Sequence, residues 1–192
     1  MAGEMDSGRP ALRADARRNR ARVLEVAAST FAAEGLSVPV HEIARRAGVG
    51  TGTVSRHFPA KEDLFAAILL SRMEQLARQA DVLARTEDPG TAFFTFFGTL
   101  VREGAANRGL AQALAGAGYD LESVAVRAGF DVSGRLRDLL ERAQRAGTIR
   151  AGIEFADVKA LLAGCLAREG GDAAALDRII TVVSDGLRPP AG

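Results

Sequence analysis

The sequence contains no tryptophan, one tyrosine, one cysteine and two histidines among its 192 residues. The single cysteine, Cys165, cannot form a disulfide within the chain. One thiol and two separated histidines do not make a plausible ligand set, so we expect no metal and no cofactor. No apolar run approaches the roughly 18 residues of a membrane-spanning helix. The N-terminus carries acids rather than the apolar core of a signal peptide. These absences favour a cytoplasmic protein that does not bind membranes.

The motifs of common catalytic chemistry are also missing. There is no HExxH, CxxC or GxSxG pattern and no glycine-rich phosphate loop. Both histidines, His41 and His57, lie near the N-terminus, and the acidic residues further along are predicted on exposed helix faces. We therefore expect a binding protein rather than an enzyme.

Positive charge is concentrated near the N-terminus. Residues 1–61 contain ten Lys/Arg and six Asp/Glu, whereas residues 62–192 contain fifteen and eighteen. Six arginines fall within residues 9–22, against one acid, Asp15. This distribution favours a polyanionic partner at one end of the molecule, although the arginines could also form a solvated helix face.

Apolar residues recur with the helical period throughout, and no segment alternates with period two. We predict an all-α fold of about nine helices. The predicted organisation is a disordered arm over residues 1–14, a first helical domain over residues 15–62 and a second helical domain over residues 63–192. The predicted helices are 17–34, 40–47, 51–57, 61–84, 89–106, 107–115, 121–146, 155–168 and 173–187. The fourth, over 61–84, is long enough at ~35 Å to link the two domains.

The segment from Leu36 to Lys61 has the pattern of a helix-turn-helix. An apolar stripe predicts a short first helix, which Gly48 ends in the left-handed conformation that glycine adopts at little cost. The second helix, Thr51 to His57, buries Val54 and leaves small, polar or cationic residues on its outer side. A helix of this kind fits the major groove of DNA.

The stretches RRNRARVLEVAASTFAAEG and VHEIARRAGVGTGTVSRHFPAKEDLF resemble the TetR family of bacterial transcriptional regulators. The resemblance covers about Arg17 to Phe65. It implies that residues 15–62 form a three-helix DNA-binding domain and that residues 63–192 form a helical ligand-binding and dimerisation domain. It also implies a homodimer and double-stranded operator DNA as a partner. One departure is Ser55, where family members usually carry tyrosine, and serine reaches less far towards a phosphate.

The resemblance also implies roles for individual residues. Those on or near the base edges are Thr51, Gly52, Thr53 and Arg56, with His41 close by. Those at phosphate-contact positions are Ser55, His57, Lys61, Arg17 and Arg18. Phosphate contacts fix position, whereas base contacts select the sequence, and an arginine can form a bidentate pair with guanine. The alternatives are a solvent-facing Arg56, a packing or capping His57 and a Lys61 that merely begins the next helix.

In the C-terminal domain, the run FFTFF places Phe93 and Phe97 on one helical face, which is more often core than cavity. Several nearby glycines reduce the filling volume. The resemblance implies a cavity for a small, apolar or weakly polar effector. Its predicted lining is Phe93, Phe97, Leu100, Leu114, Tyr119 and Phe130.

The last two predicted helices carry more apolar surface than one domain needs. The resemblance implies that they pair with their copies in a four-helix dimer interface. The predicted interface residues are Val158, Leu161, Leu162, Cys165, Leu176, Ile179, Ile180 and Val183. A two-fold dimer predicts a palindromic operator with half-sites about 34–36 Å apart or a multiple of that distance. Alternatively, these helices close the core of a monomer.

Two functions remain open. One is a ligand-responsive, homodimeric transcriptional regulator, more often a repressor than an activator. The other is a helical adaptor without specific DNA binding, which Ser55 makes conceivable. Operator binding weakens steeply with salt and prefers one sequence, whereas an adaptor shows neither property.

Overall fold

The computed structural model describes residues 8–167 and 172–190, with side chains from residue 15 onward. Within these residues the chain is all-α and has ten helices, one more than predicted. They are α1 (Gly8–Glu34), α2 (Val40–Ala47), α3 (Thr51–His57), α4 (Lys61–Thr86), α5 (Pro89–Ala106), α6 (Arg108–Gly116), α7 (Leu121–Arg127), α8 (Val132–Arg145), α9 (Phe155–Ala167) and α10 (Ala173–Leu187).

The helices form two compact units. The head unit comprises the chain up to Leu69 together with Gly109–Tyr119, and the body unit comprises Leu70–Arg108 and the chain from Asp120 onward. This division differs from the predicted domains, because the segment Gly109–Tyr119 clusters with the DNA-binding helices rather than with the C-terminal domain. Its Gly109 lies beside Leu36, the residue that follows α1 and Gly35.

In the head unit, α1 packs against α2, and α2 packs against α3. Phe31 of α1 meets Phe65 of α4 edge to face, with ring centroids 5.1 Å apart. Burying these apolar faces stabilises α2 and α3, which have eight and seven residues and would be marginal in isolation. The buried residues of this core include Val23, Ala27, Phe31, Ile43, Ala44, Ala47, Val54, Phe58, Leu64 and Phe65.

The core of the body unit is built around α5, which packs against α8, α9 and α10. Asp88 caps α5 by accepting a hydrogen bond from the Thr91 amide at 3.0 Å, as the Asp88-Pro89 pair predicts. Phe93, Phe96 and Phe97 all lie in this core with no exposed surface. The core thus contains Phe96 as well as Phe93 and Phe97, the two rings that the sequence places on one helical face.

Two predicted segments are wrong. Residues 8–14 of the predicted disordered arm belong to α1, which begins at Gly8 rather than near residue 17, and residues 1–7 lie outside the described residues. The predicted helix over 121–146 is divided into α7 and α8, because Gly129 adopts a φ of 85°. A right-handed helix cannot continue through that conformation. Gly134 does not interrupt α8; its amide instead donates to the capping Asp131 carboxylate at 2.7 Å.

Candidate DNA interface

The turn between α2 and α3 is fixed by backbone hydrogen bonds. Gly48 has φ 66° and ψ 32°, and its amide donates to the Arg45 carbonyl. The Val49 amide donates to the Ala44 carbonyl at 3.1 Å. This pair of bonds around a left-handed glycine is the Schellman arrangement, which ends one helix and sets the direction of the next.

The recognition helix α3 has one buried side and one exposed side. Val54 and the following Phe58 are 1% and 5% exposed and anchor the helix to the head core. Thr53 is half-buried, and a β-carbon on Gly52 would meet no atom within 4 Å, so the backbone there is open to close approach. The predicted contact residues on the exposed side are Thr51, Gly52, Ser55, Arg56 and His57.

The remaining predicted contact residues differ in their surroundings. His41 and Arg17 are exposed, and Arg18 is exposed but pairs with Asp15. Lys61 is half-buried. Its ammonium nitrogen lies 5.6 Å from the centroid of Phe31 and 5.9 Å from that of Phe65. This lysine therefore has a cation–π role in the head core, whatever its role at DNA.

The arginines of α2 are neutralised by neighbouring carboxylates. Arg45 donates two hydrogen bonds to Glu42, at 2.8 and 2.7 Å, and Arg46 donates to Glu42 and to Glu34. Hydrogen bonds from Arg45 and then Arg46 lower the pKa of Glu42 to about 2. A hydrogen bond from Arg46 likewise lowers the pKa of Glu34. These cations are already engaged within the protein.

The sequence-based site omitted two arginines that lie against the helix-turn-helix. Arg20 places its guanidinium 5.6 Å from the centroid of Phe58, and Arg22 places an Nη atom 3.6 Å from where a β-carbon on Gly48 would lie. Both were part of the basic stretch over residues 9–22. Only the packing of α1 against α2, and the contact of Arg20 with Phe58 at the end of α3, distinguishes them from the other arginines of that stretch.

The six residues predicted to line an effector cavity divide between the units. Leu114 and Tyr119 belong to the head unit, where Leu114 is buried and Tyr119 is exposed. Phe93, Phe97 and Leu100 are core residues of the body unit, and Phe130 is half-buried beside Gly129. The side chains of α5 thus fill the body core, which is the alternative that the sequence left open.

Two clefts on the body unit have other linings. One, of about 320 Å³, lies between α4 and α8 and contains the Arg135–Asp81 ion pair, in which Nε and Oδ1 are 2.9 Å apart. The other, of about 560 Å³, lies beside the start of α5 and includes Thr91, Phe94 and Arg188. Both linings mix charged and apolar groups.

The predicted dimer residues also fall into two groups. Val158, Cys165 and Ile180 are 0%, 3% and 8% exposed and belong to the core of their own subunit, so they are not surface residues of a single chain. Burial raises the pKa of the Cys165 thiol. The half-buried group is Leu161, Leu162, Leu176, Ile179 and Val183. The most exposed large apolar side chain of α10 is Val182, at 71%.

Within the described residues, no helix is both long and apolar enough to cross a membrane. In the same part of the chain, no cluster of three or more histidine, cysteine, aspartate or glutamate side chains could hold a metal ion. The exposed α3, held by a glycine-ended α2 in a small helical unit, defines a helix-turn-helix DNA-binding protein.

Two family profiles match the chain. Residues 23–68 match the profile described as bacterial regulatory proteins of the tetR family. Residues 88–189 match the profile described as the C-terminal domain of SbtR-like transcriptional regulators.

Solved structures and curated relatives agree with these profiles. A TetR transcription regulatory protein from Mycobacterium vanbaalenii is 50% identical, with 93% of this chain and 99% of that chain covered and a TM-score of 0.75. The regulator SCO0520 from Streptomyces coelicolor is 30% identical, with 90% and 99% covered and a TM-score of 0.74. The HTH-type transcriptional regulator SAUSA300_2515 from Staphylococcus aureus is 43% identical over 54 residues, which span 28% of this chain and 29% of the relative. The chain belongs to the TetR family and is a DNA-binding transcriptional regulator.

Proposed function

We propose that this regulator is a homodimeric, effector-responsive repressor that binds a palindromic operator through α3 of each subunit and acts in the cytoplasm. The observation that carries the proposal is the two-sided character of α3. Val54 and Phe58 fix it to the head core, while Thr51, Ser55 and Arg56 face outward. A rigidly held helix with an exposed polar side can place its side chains at base edges without first becoming ordered.

Base selection and phosphate binding fall to different residues in this proposal. Arg56 is exposed near the end of α3 and forms a bidentate pair with guanine, worth about 1–3 kcal/mol of discrimination. The methyl groups of Thr51 and Thr53 contact thymine methyl groups. His57, Lys61 and the shorter Ser55 contact phosphates, which fix the position of α3 without reading the sequence.

The operator can be found by selecting bound duplexes from a random DNA pool with the full-length protein. We expect a palindrome, and we expect Arg56→Ala to lower the preference for one base position by about 5- to 150-fold. Lys61→Ala should weaken binding to all sequences similarly. Because Lys61 also contacts two rings, Lys61→Arg serves as the control that keeps the charge. Unchanged operator binding in both alanine variants would show that these residues are wrongly assigned.

The dimer proposal rests on the exposed side of α9 and α10. Helix α9 contains only two charged residues, Asp157 and Lys159, and is apolar around most of its circumference. A helix with that composition is expected to be buried on both sides. In one subunit, however, the α9 residues Ala160, Ala163, Gly164 and Ala167 are exposed.

These small residues allow a second helix to approach closely, and Val182 of α10 supplies a large apolar side chain. The proposed interface therefore combines them with the half-buried leucines of α9 and the half-buried Leu176, Ile179 and Val183. Val158, Cys165 and Ile180 act behind it, as core residues of each subunit.

Val182→Asp tests the dimer, because the substitution places a charge on the proposed interface without disturbing the subunit core. The control is Val82→Asp, at an exposed valine of α4 that is 48% accessible. Sedimentation equilibrium should show a dimer for the wild type and for Val82→Asp, and a monomer for Val182→Asp. A wild-type monomer at micromolar concentration would contradict the proposal.

Effector control requires a ligand that binds the DNA-free conformation more tightly than the DNA-bound one. The coupling is typically about 1–3 kcal/mol, and it is reciprocal: operator DNA lowers effector affinity by the same factor. We propose an apolar or weakly polar small molecule that binds within the body unit, where it displaces part of the packing around Phe93, Phe97 and Leu100. A thermal-shift screen of small organic molecules, followed by an operator-release assay, tests this. If no compound releases DNA, effector control is wrong while operator binding stands.

A further inference from the structure

Two arginines of α1 lie at opposite ends of the recognition helix. Arg22 places its guanidinium beside Gly48, the residue that ends α2 just before α3. Arg20 places its guanidinium over the ring of Phe58, the residue that follows the last turn of α3. Both side chains are exposed, and neither forms an ion pair with another described side chain.

Three other arginines of the head unit are paired with carboxylates, whereas Arg17 and Arg56 are exposed and form no ion pair with another described side chain. Arg45 and Arg46 are held by Glu42 and Glu34 through several hydrogen bonds. Arg18, on the same helix as Arg20, pairs with Asp15. The ion pairs of the head unit therefore remove positive charge from α2 and leave it on α1 and α3, including the two ends of α3 where Arg20 and Arg22 lie.

The dimensions suit a phosphate backbone. Helix α3 has seven residues and is about 10 Å long at 1.5 Å per residue. Duplex DNA presents one phosphate charge per about 1.7 Å of its axis. A guanidinium at each end of a helix of this length has phosphates within reach when the helix lies in the major groove. Arginine also matches phosphate with two parallel hydrogen bonds, and stacking on Phe58 orients the fork of Arg20 in advance.

We propose that Arg20 and Arg22 are phosphate anchors that hold α3 at both ends and fix its register in the groove. The proposal rests on DNA binding through α3 and adds two contact residues from α1. These anchors fix the position of α3 and do not select bases. Their loss therefore weakens binding to every duplex by the same factor.

The test measures the salt dependence of binding for full-length Arg20→Gln and Arg22→Gln. The probes are the selected operator duplex and a scrambled duplex of the same length. Each phosphate contact contributes about 0.9 to the slope of log K against log salt concentration. Each variant should therefore lower that slope by about 0.9 per bound head, or about 1.8 for a dimer on its operator. The ratio of operator to scrambled affinity should stay the same.

The matched control is Arg45→Gln, which makes the same charge change on the same motif at a residue held by Glu42. It should keep the wild-type slope, because Glu42 remains paired with Arg46. Arg20→Lys and Arg22→Lys keep the charge and should restore most of the slope. If Arg20→Gln lowers the melting temperature by losing its contact with Phe58, Arg22→Gln decides the outcome, because it loses no ring contact.

Each result has one meaning. If both glutamine variants keep the wild-type slope, if Arg45→Gln loses as much as they do, or if the lysine variants fail like the glutamine variants, the anchors are wrong while operator binding stands. If the wild-type protein shows no salt-dependent DNA binding, the proposed function fails and the anchors fail with it.

Discussion

At position 90 the packing leaves room for glycine only. Gly90 is buried near the start of α5, and a β-carbon there would lie 2.9 Å from the Cβ of Thr148. Thr148 cannot easily move, because its hydroxyl donates to the Ala143 carbonyl at 2.9 Å. The position therefore excludes any side chain larger than hydrogen.

Gly90→Ala should lower the free energy of unfolding by about 1–3 kcal/mol, because overpacking outweighs the better helix propensity of alanine. Urea unfolding followed by circular dichroism measures this. Gly116→Ala is the control, since Gly116 is also helical but its β-carbon would meet nothing within 4 Å. A Gly90→Ala variant as stable as the wild type would show that the α5–Thr148 contact is loose.

Because of Glu42, the stability of the head unit depends on pH in the acidic range. The pKa of Glu42 is about 2 in the folded protein, mainly because Arg45 and Arg46 donate hydrogen bonds to the carboxylate, against an ordinary value of 4.5. A lowered pKa means that the ionised carboxylate stabilises the folded state above about pH 4.5. That contribution is lost as the pH falls towards 2.

Melting temperatures between pH 7 and pH 2 should therefore show a difference between the wild type and Glu42→Gln. The wild type should be the more stable above pH 4.5, and the difference should shrink towards pH 2. Glu62→Gln, at an exposed carboxylate of α4 outside this network, is the control. Parallel curves for the wild type and Glu42→Gln would mean that the ion pairs of α2 contribute nothing in solution.

At this scale the sequence predicted which residues α3 exposes, because an apolar stripe on a short helix also defines its opposite side. It did not single out Arg20 and Arg22. Six arginines within fourteen residues look alike in the sequence. Which of them lie against Gly48 and Phe58 depends on how α1 packs across the motif, and that is a tertiary property.

Among the elements, the boundary between α7 and α8 depends on one backbone conformation. Gly129 has a φ of 85°, and a β-carbon there would meet no atom within 4 Å. The cost of substitution is therefore the backbone strain alone. Gly129→Ala should lower the free energy of unfolding by about 1–2 kcal/mol, as measured by urea unfolding.

Gly129→Asn is the matched control, since asparagine tolerates the left-handed conformation better than alanine. It should lie between the wild type and Gly129→Ala. If alanine costs nothing or stabilises the protein, α7 and α8 form one continuous helix in solution, as the apolar period alone predicted. If alanine and asparagine cost the same, backbone strain at Gly129 is not the cause of the loss.

Helix ends that are marked by a capping residue could be predicted from the sequence, whereas ends without such a residue could not. Asp88, Asp172 and Gly48 mark boundaries through caps that involve only neighbouring residues. By contrast, the apolar period of residues 121–146 is the same for one helix or two. Gly129 and Gly134 would each weaken a helix that ran through both, and the sequence alone does not distinguish them. Only the backbone distinguishes a left-handed break from a glycine beside its cap.

For the whole molecule, the dimer proposal predicts that stability depends on concentration. A partner that binds only the folded subunit adds about 1.4 kcal/mol per dimer for each tenfold rise in protein concentration. The melting temperature should then rise by about 1–3 °C per tenfold increase. Val182→Asp should abolish this dependence, whereas Val82→Asp should keep it.

A wild-type melting temperature independent of concentration would instead favour a folded monomer.

The sequence alone could not distinguish a dimer from a monomer, because apolar residues on the last two helices can form either a dimer interface or the core of one subunit. Val158 and Cys165 lie in the core of one subunit, whereas Ala160 and Gly164, on the same helix, are exposed. The period of the pattern does not say which side meets a partner.

The ion pairs of α2 have a consequence for how the protein searches a chromosome. By cancelling the charge of Arg45 and Arg46, they leave the attractive end of the head unit around α3. We therefore expect a subunit drawn to random DNA to arrive with the exposed side of α3 towards the duplex. Glu34 and Glu42 would then shorten the search for the operator by orienting the head unit on the DNA it scans.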